Sequence, residues 1–591
     1  MSRHPQIRCA RPGRPATPFA PATLAIAAGL ALLSGSVQAF EFDTGNPDLT
    51  VRWDNTPRVN LAWRVEGRDP KIGATAIADE GTYSFDKGDM VAQRVDLLTE
   101  LDVVYKRNFG ARFSAAGWYD GAYGDDSRSN PAIPNPSYIG NKYSEQINRL
   151  YQGPGGEILD AFVFGRFDLG EVPTSVKLGR HSLYWGESLF LGGNVNGIAY
   201  AQNPLDLQKG FATPGVEAKE LFRPLNQISG QAGITDTLTV AAQYFFEWES
   251  FRYPEGGTYL GPVDFAFNGP DRVVAGQLPV NPALGPLSGQ LLGYSRGNAA
   301  EPKQRGDWGL AARWSPEALD GTLGFYYRNF SDKLPQTLVT QVSLTPPLPP
   351  SGNRLPLLSG SQYNLVYKDN IQLFGISLAK NIGGVSLGGE LSYRKDTPLN
   401  AQVLGIAPGL PEQGETKGPV GDTAHGLVNL LGVIPKTALF DAATWATELT
   451  WAHLVSVNSG ENLFNGEGYA ACTSRNFSKW DGCATKNFFG LALAFTPTWY
   501  QTFPGVDLSL PVTYSRGLSG NSALVFGGNQ GLGNYSVGLG IDVFQKYRFD
   551  IKYSDYIGAY KDNGTSVTST NGFTTYLVDR GFLGVTFKTT F

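Results

Sequence analysis

The sequence predicts an all-β fold: a transmembrane antiparallel β-barrel of about 16–18 strands, with loop or short-helix elements folded into its lumen. Three observations predict it. The chain opens with an export leader and afterwards shows no run of about 18 apolar residues, so no helical span. Long segments alternate apolar and polar residues with a period of two. The connections between them alternate short and long.

The leader comes first. Arg3, Arg8, Arg11 and Arg14 form a basic region, Ala22 to Leu33 an apolar core, and Val37-Gln38-Ala39 a small-residue cleavage site. Cleavage after Ala39 is expected, so residues 1–39 are set aside as a signal peptide. Removing four arginines from 48 basic residues leaves 44 against 53 acidic, a net charge of −9, which argues against nucleic acid as a partner. Charged residues make up only 17% and aromatics 12%, with 73 Gly and 38 Pro, a composition of many turns and an aromatic interfacial belt.

Residues 40–57 read as a periplasmic lead-in and 58–591 as the barrel. The clearest strand is Val91 to Lys106. Val91, Val95, Leu97, Leu101, Val103 and Tyr105 share one face, and Arg94, Asp96, Glu100 and Asp102 share the other. That is longer than a globular strand, whose mode is about 5–6 residues, and it matches a wall with lipid outside and water inside. The same alternation puts Glu247 and Glu249, then Arg313 and Arg328, then Arg548, Asp550 and Lys552 on inward faces. All eleven of these charges are lumen-lining candidates. Both signs occur, so no strong ion selectivity is expected.

Strand candidates begin near residues 58, 91, 110, 158, 174, 225, 237, 304, 321, 361, 371, 384, 443, 488, 506, 532, 547 and 575, an even count of eighteen. Sixteen is the near alternative, because 361–381 can be one strand or two. Two connections stand out. Residues 186–224 carry Phe211, Leu221 and Phe222, too apolar for a solvated loop. Together with Arg180, His181, Trp185, Glu187 and Arg223 they are candidates for a constriction or ligand site. Residues 397–442 fall on the short-turn side in this scheme, with a helix expected over His425 to Ile434; another is expected from Thr213-Pro214 to Phe222. Both segments are plug candidates.

Cys472 and Cys483 lie past the leader and are expected to form a disulfide in an oxidising compartment. His181, His425 and His453 share no metal-ligand spacing, so no metal and no cofactor is expected. His181 and Ser182 are adjacent, so on a strand they face opposite ways and cannot act together as base and nucleophile. No catalytic residue is assigned. The last strand ends on Phe591, with Phe587 on the same face, which resembles the terminal assembly signal of outer-membrane barrels.

Several stretches carry a family resemblance. They include WDNTPRVNLAWRVEGRDP (53–70), LGRHSLYWGESLF (178–190), AQNPLDL (201–207), FFEWESFRYPEGGTYLGPVDF (245–265) and TYSRGLSGN (513–521). The chain resembles the proteobacterial exported family named domain of unknown function 1302. The resemblance implies a barrel in the outer membrane of a Gram-negative bacterium. It implies as partners the surrounding lipid, the insertion machinery that reads the last strand, a periplasmic protein and an inner-membrane transporter of the resistance–nodulation–division type. It also implies passage of a hydrophobic or amphipathic small molecule, with a general porin for polar solutes and an outer-membrane lipid hydrolase as the alternatives.

Overall fold

A computed structural model describes residues 40–133, 136–212, 216, 218–348 and 352–591. The leader and the Thr213-Pro214 helix start lie outside the described residues. Eighteen strands form one closed antiparallel barrel. They are β1 (Leu49–Arg64), β2 (Met90–Tyr105), β3 (Phe109–Asp120), β4 (Gly155–Leu169), β5 (Val172–His181) and β6 (Leu225–Thr235). Next come β7 (Leu238–Phe245), β8 (Trp308–Trp314), β9 (Gly321–Phe330), β10 (Ile371–Ile382), β11 (Val385–Pro398) and β12 (Val420–Ile434). The rest are β13 (Ala442–Ser459), β14 (Asn487–Phe503), β15 (Val506–Ser509 with Val512–Ser519), β16 (Gly533–Val543), β17 (Tyr547–Ile557) and β18 (Phe582–Thr589). The seam runs from Arg58↔Lys588 to Arg64↔Phe582. Barrel closure leaves no unpaired strand edge, which is the only way a sheet can cross hydrocarbon.

The alternation read from β2 holds in the wall. Leu97, Leu101 and Tyr105 are exposed outward, while Arg94, Asp96 and Glu100 are buried inward. Exposed aromatics gather at both strand ends: Trp53, Tyr105, Phe109, Trp314, Phe503 and Phe544 at one, Tyr244, Phe246, Trp308 and Phe489 at the other. These are the positions selected by two membrane–water interfaces. Turns such as 170–171, 236–237, 383–384 and 504–505 are short, and both chain ends lie on that side. The connections 65–89, 121–154, 182–224, 246–307, 331–370, 399–419, 460–486, 520–532 and 558–581 leave the other end. They build a cap that contains a five-stranded sheet made of Arg272–Gln277, Leu291–Arg296, Gln336–Gln341, Gln362–Val366 and Gly405–Ile406. The Cys472–Cys483 disulfide, with Cα atoms 6.3 Å apart, ties one of these loops.

Four expectations need correction. The helix expected over His425 to Ile434 is part of strand β12, paired on both sides with β11 and β13. Segment 397–442 is therefore no short-turn-side plug: it holds the long-end loop 399–419, β12, and the short turn 435–441. The candidate near 361 is not a wall strand, since Gln362–Val366 pairs in the cap sheet. Omitting β12 and adding residue 361 cancelled, so the count of eighteen came out right. The lead-in also shrinks, because β1 begins at Leu49, and Phe40–Phe42 pairs with Val51 to Trp53. Within that former lead-in, Trp53 points outward and Asp54 sits opposite Glu100.

Candidate functional site

Residues 187–200 of the connection 182–224 fold back into the barrel and are held there by charges on the inner wall. Glu390, on the inner face of β11, accepts backbone N–H bonds from Glu187, Ser188 (3.1 Å) and Ile198 (2.7 Å). Glu448, on β13, accepts from Leu189 (2.7 Å) and Phe190 (3.2 Å). Arg394 of β11 donates to the carbonyls of Val195 (2.8 Å) and Gly197 (2.9 Å). Arg328 of β9 donates to those of Ile198 (2.9 Å) and Tyr200 (2.6 Å). Two carboxylates thus take the donors of one short irregular segment, and two guanidiniums take its acceptors. The segment's backbone groups are satisfied where its own short helix, Leu191–Asn196, cannot satisfy them. Glycine makes the approach feasible: a Cβ on Gly193 would collide with the Glu448 carboxylate, and one on Gly197 with that of Glu390.

Around these pins the segment is apolar. Trp185, Val195, Ile198, Tyr200 and Leu205 are buried in the main core cluster. Leu189 is 46% exposed and Tyr184 37% exposed, although both belong to an inward-folded segment. Leu189 and Glu187 line a cavity of about 350 Å³ together with Lys380, Asn429 and Leu431. A polar wall with apolar side chains left facing open space is a surface suited to an amphipathic molecule.

The inward charges expected from the sequence mostly brace the wall. Arg94 bonds Asp96 (3.0 and 3.1 Å). Asp96 also lies 3.8 Å from Arg58, which is held bidentately by Glu220 of the plug segment (2.8 and 2.9 Å). Glu100 and Asp102 share Arg112. Arg548 and Asp550 pair at 2.8 Å and, with Lys552, line an open cavity of about 920 Å³ at the short-turn end. Arg313 is exposed at that same end of β8. Glu247 and Glu249 do not line the lumen as expected. β7 stops at Phe245, and both carboxylates clasp Arg180 (2.8 and 2.9 Å). Arg180 lies two residues from exposed Leu178 and so shares its face, which puts it on the outer side at the long-loop end of the wall, not in a constriction.

The remaining candidates lie inside. Trp185 packs on Tyr326, with ring centroids 6.1 Å apart. Phe222 meets Tyr184 edge-on at 5.5 Å, Phe211 meets Tyr253 at 6.4 Å, and the backbone of Gly210 passes close to Leu221. Arg223 pairs with Glu249 and donates to the Ser250 carbonyl (3.1 Å). The sequence reading missed Glu390, Glu448, Arg394, Arg58 and Glu220. A signal was present in β11, where Glu390 and Arg394 stand on the face occupied otherwise by Ser386, Gly388 and Ser392.

His181 does find a serine in space. Its Nε2 lies 2.7 Å from Ser229 Oγ, and its Nδ1 lies 2.9 Å from the Gly179 carbonyl. The carbonyl fixes the tautomer, so the serine hydroxyl donates to Nε2. The pair is buried against Phe162, and its orienting partner is a carbonyl, not a carboxylate. Such a pair satisfies two polar groups inside a wall. His425 bonds Thr423 (2.8 Å) inside the wall, and His453 bonds Asn487 (2.8 Å) outside it.

None of the curated proteins compared matches this chain. Among solved structures, OccD3 (OpdP) of Pseudomonas aeruginosa is similar at 9% identity, covering 92% of this chain and 91% of its own, with a TM-score of 0.38. OpdK of the same organism, solved with vanillate, gives 9% identity, 92% and 98% coverage, and 0.38. The outer membrane channel DcaP of Acinetobacter baumannii gives 8% identity, 94% and 100% coverage, and 0.35. A family model matches residues 20–591, and the chain belongs to that family, described as a protein of unknown function (DUF1302).

Proposed function

We propose that this barrel is a conduit in the outer membrane of a Gram-negative bacterium, passing a hydrophobic or amphipathic small molecule. At rest the plug segment 182–224 closes it. The observation that carries this reading is the four-residue clamp of Glu390, Glu448, Arg328 and Arg394 on a segment whose apolar tip faces open space. A wall built only to surround water would not need to hold an apolar segment by its backbone. In this reading a periplasmic partner and an inner-membrane transporter of the resistance–nodulation–division type deliver or receive the molecule at the short-turn end. The insertion machinery reads the strand that ends at Phe587 and Phe591.

Planar-bilayer recording tests it. The intact chain should show little steady conductance, and deleting residues 187–198 should produce large, long-lived openings. Large steady conductance from the intact chain would favour a general porin instead. A lipid hydrolase would require activity that Ser229→Ala or His181→Ala abolishes with the barrel intact.

A further inference from the structure

Four connections meet in the cap at a group of buried carboxyls. The short helix Asp79–Tyr83 of connection 65–89 presents Asp79 and Glu80, each 2% exposed. Connection 246–307 presents Asp264 and Glu255, each 3% exposed. Asp264 accepts from the Glu80 and Gly81 amides (3.3 and 3.4 Å), which places two carboxyl-bearing loops against one another. Glu80 accepts from the Ser137 amide and hydroxyl, and Asp79 from the Asn130 amide (2.7 Å), both on connection 121–154. Glu255 accepts from the Asn268 and Gly269 amides (2.8 Å each) and from Gln146 (2.6 Å).

The cations that face the group have other partners. Arg580, on connection 558–581, donates to the carbonyls of Tyr259 (2.9 Å) and Gly261 (2.6 Å) and to the Thr82 hydroxyl (3.0 Å), with Asp579 3.5 Å away. Arg272 donates to the Pro136 carbonyl (3.0 Å), and Arg296 to that of Pro270 (2.6 Å). Arg128 lies 3.8 Å from Asp89. The hydroxyls of Tyr138 and Tyr143 donate to the Gly256 and Gly257 carbonyls. Among the described residues, none of the four carboxyls forms an ion pair.

We propose that these carboxyls make the cap a proton-dependent latch, closed while they are protonated and released as they ionise in a site whose nearby guanidiniums are bonded to carbonyls and not to them. The physical ground is that several like charges cannot be buried side by side without compensation. Burial accordingly pushes Asp79 up to about 6, Glu255 to about 7 and Glu80 to about 8, and Asp264 well above the usual carboxylate range. The sign follows. Closing the cap takes up protons, so the closed state is fully favoured below the ordinary carboxyl range and loses ground as pH rises through about 6 to 8. The latch is separate from the conduit reading, since it concerns the cap's own opening.

Amide hydrogen exchange of the full chain in detergent tests it at pH 5.5, 7 and 8.5, with intrinsic rates divided out. Protection over residues 78–83 and 255–264 should fall at least about tenfold from the first pH to the last, because each linked proton changes the equilibrium about tenfold per pH unit. Protection in β2 should stay constant. Glu80→Gln with Asp264→Asn should keep the cap protected at pH 8.5. Constant protection in the wild type overturns the proposal, and so does an equal fall in the double variant. Should that variant fail to assemble, the wild-type series still decides, with Asp264→Asn alone as the second variant. Exchange is read without any transport, so failure here leaves the conduit reading untouched.

Discussion

Neutralising the clamp, with Glu390→Gln and Glu448→Gln together, should free the plug. Between them the two carboxylates accept five backbone N–H bonds from residues 187–198. A hydrogen bond to a charged acceptor contributes about 1.5–3 kcal/mol, against about 0.5–1.5 for a neutral one. Glutamine keeps the shape but only one accepting oxygen, so one bond at each position is lost outright at about 2 kcal/mol and the other three weaken by about 1 kcal/mol each, about 7 in all. Relief from burying two charges returns part of this, leaving about 3 kcal/mol. That corresponds to more than a hundredfold shift toward the released plug. The assay pairs bilayer recording with hydrogen exchange over residues 187–198. Openings should become about a hundred times more frequent, and protection should fall by a similar factor. Wild-type protection and wild-type conductance in the double variant would refute the clamp. Lost protection with unchanged conductance would show that the segment is held there but does not close the path.

Other outcomes follow from single contacts. Gly193→Ala should loosen the plug as the carboxylate variants do, because a methyl group cannot share space with the Glu448 carboxylate; exchange over residues 187–198 reports it. Arg580→Met should leave the wall intact but make the cap sensitive to protease, since three buried acceptors lose their donor at about 1–3 kcal/mol each. Reducing the disulfide, or Cys472→Ser, should cost the 460–486 loop about 3 kcal/mol and open Arg475 and Lys479 to trypsin, with heat-modifiable mobility unchanged. Deleting Phe591 removes two backbone bonds to Asn55 (2.6 and 2.9 Å) at the seam and should lower the yield of heat-modifiable barrel more than it alters conduction by assembled protein.

The wall was legible where its two faces meet different media. β2 and β17 separate lipid from water or ion pairs, so charge alternates with aliphatic or aromatic side chains and the period shows. β12 faces lipid on one side, and its inner face mixes Leu427, Leu431 and Val433 with the polar Thr423, His425 and Asn429. Leu427, inward, is buried, while Val428, outward, is exposed, so apolar side chains stand on both faces and the leucines fell into helical spacing. The site was legible only as a composition. An excess of Phe, Leu and Trp in a long connection said that it could not lie in water. Which wall residues hold it depends on a backbone amide and a side chain about 200 residues apart in sequence (the Glu187 N–H and the Glu390 carboxylate), and no local pattern encodes that pairing.

The seam between β1 and β18 brings residue 58 beside residue 588. No strand can close the wall until almost the whole chain is present, and by then the plug segment has long since emerged. Its clamping strands β11 and β13 come later in the sequence than the segment they grip. A segment so placed has the geometry of a mandrel, a surface for later strands to wrap, and assembly kinetics test that role. A chain whose plug has been excised should then assemble more slowly than one whose plug is present but unclamped.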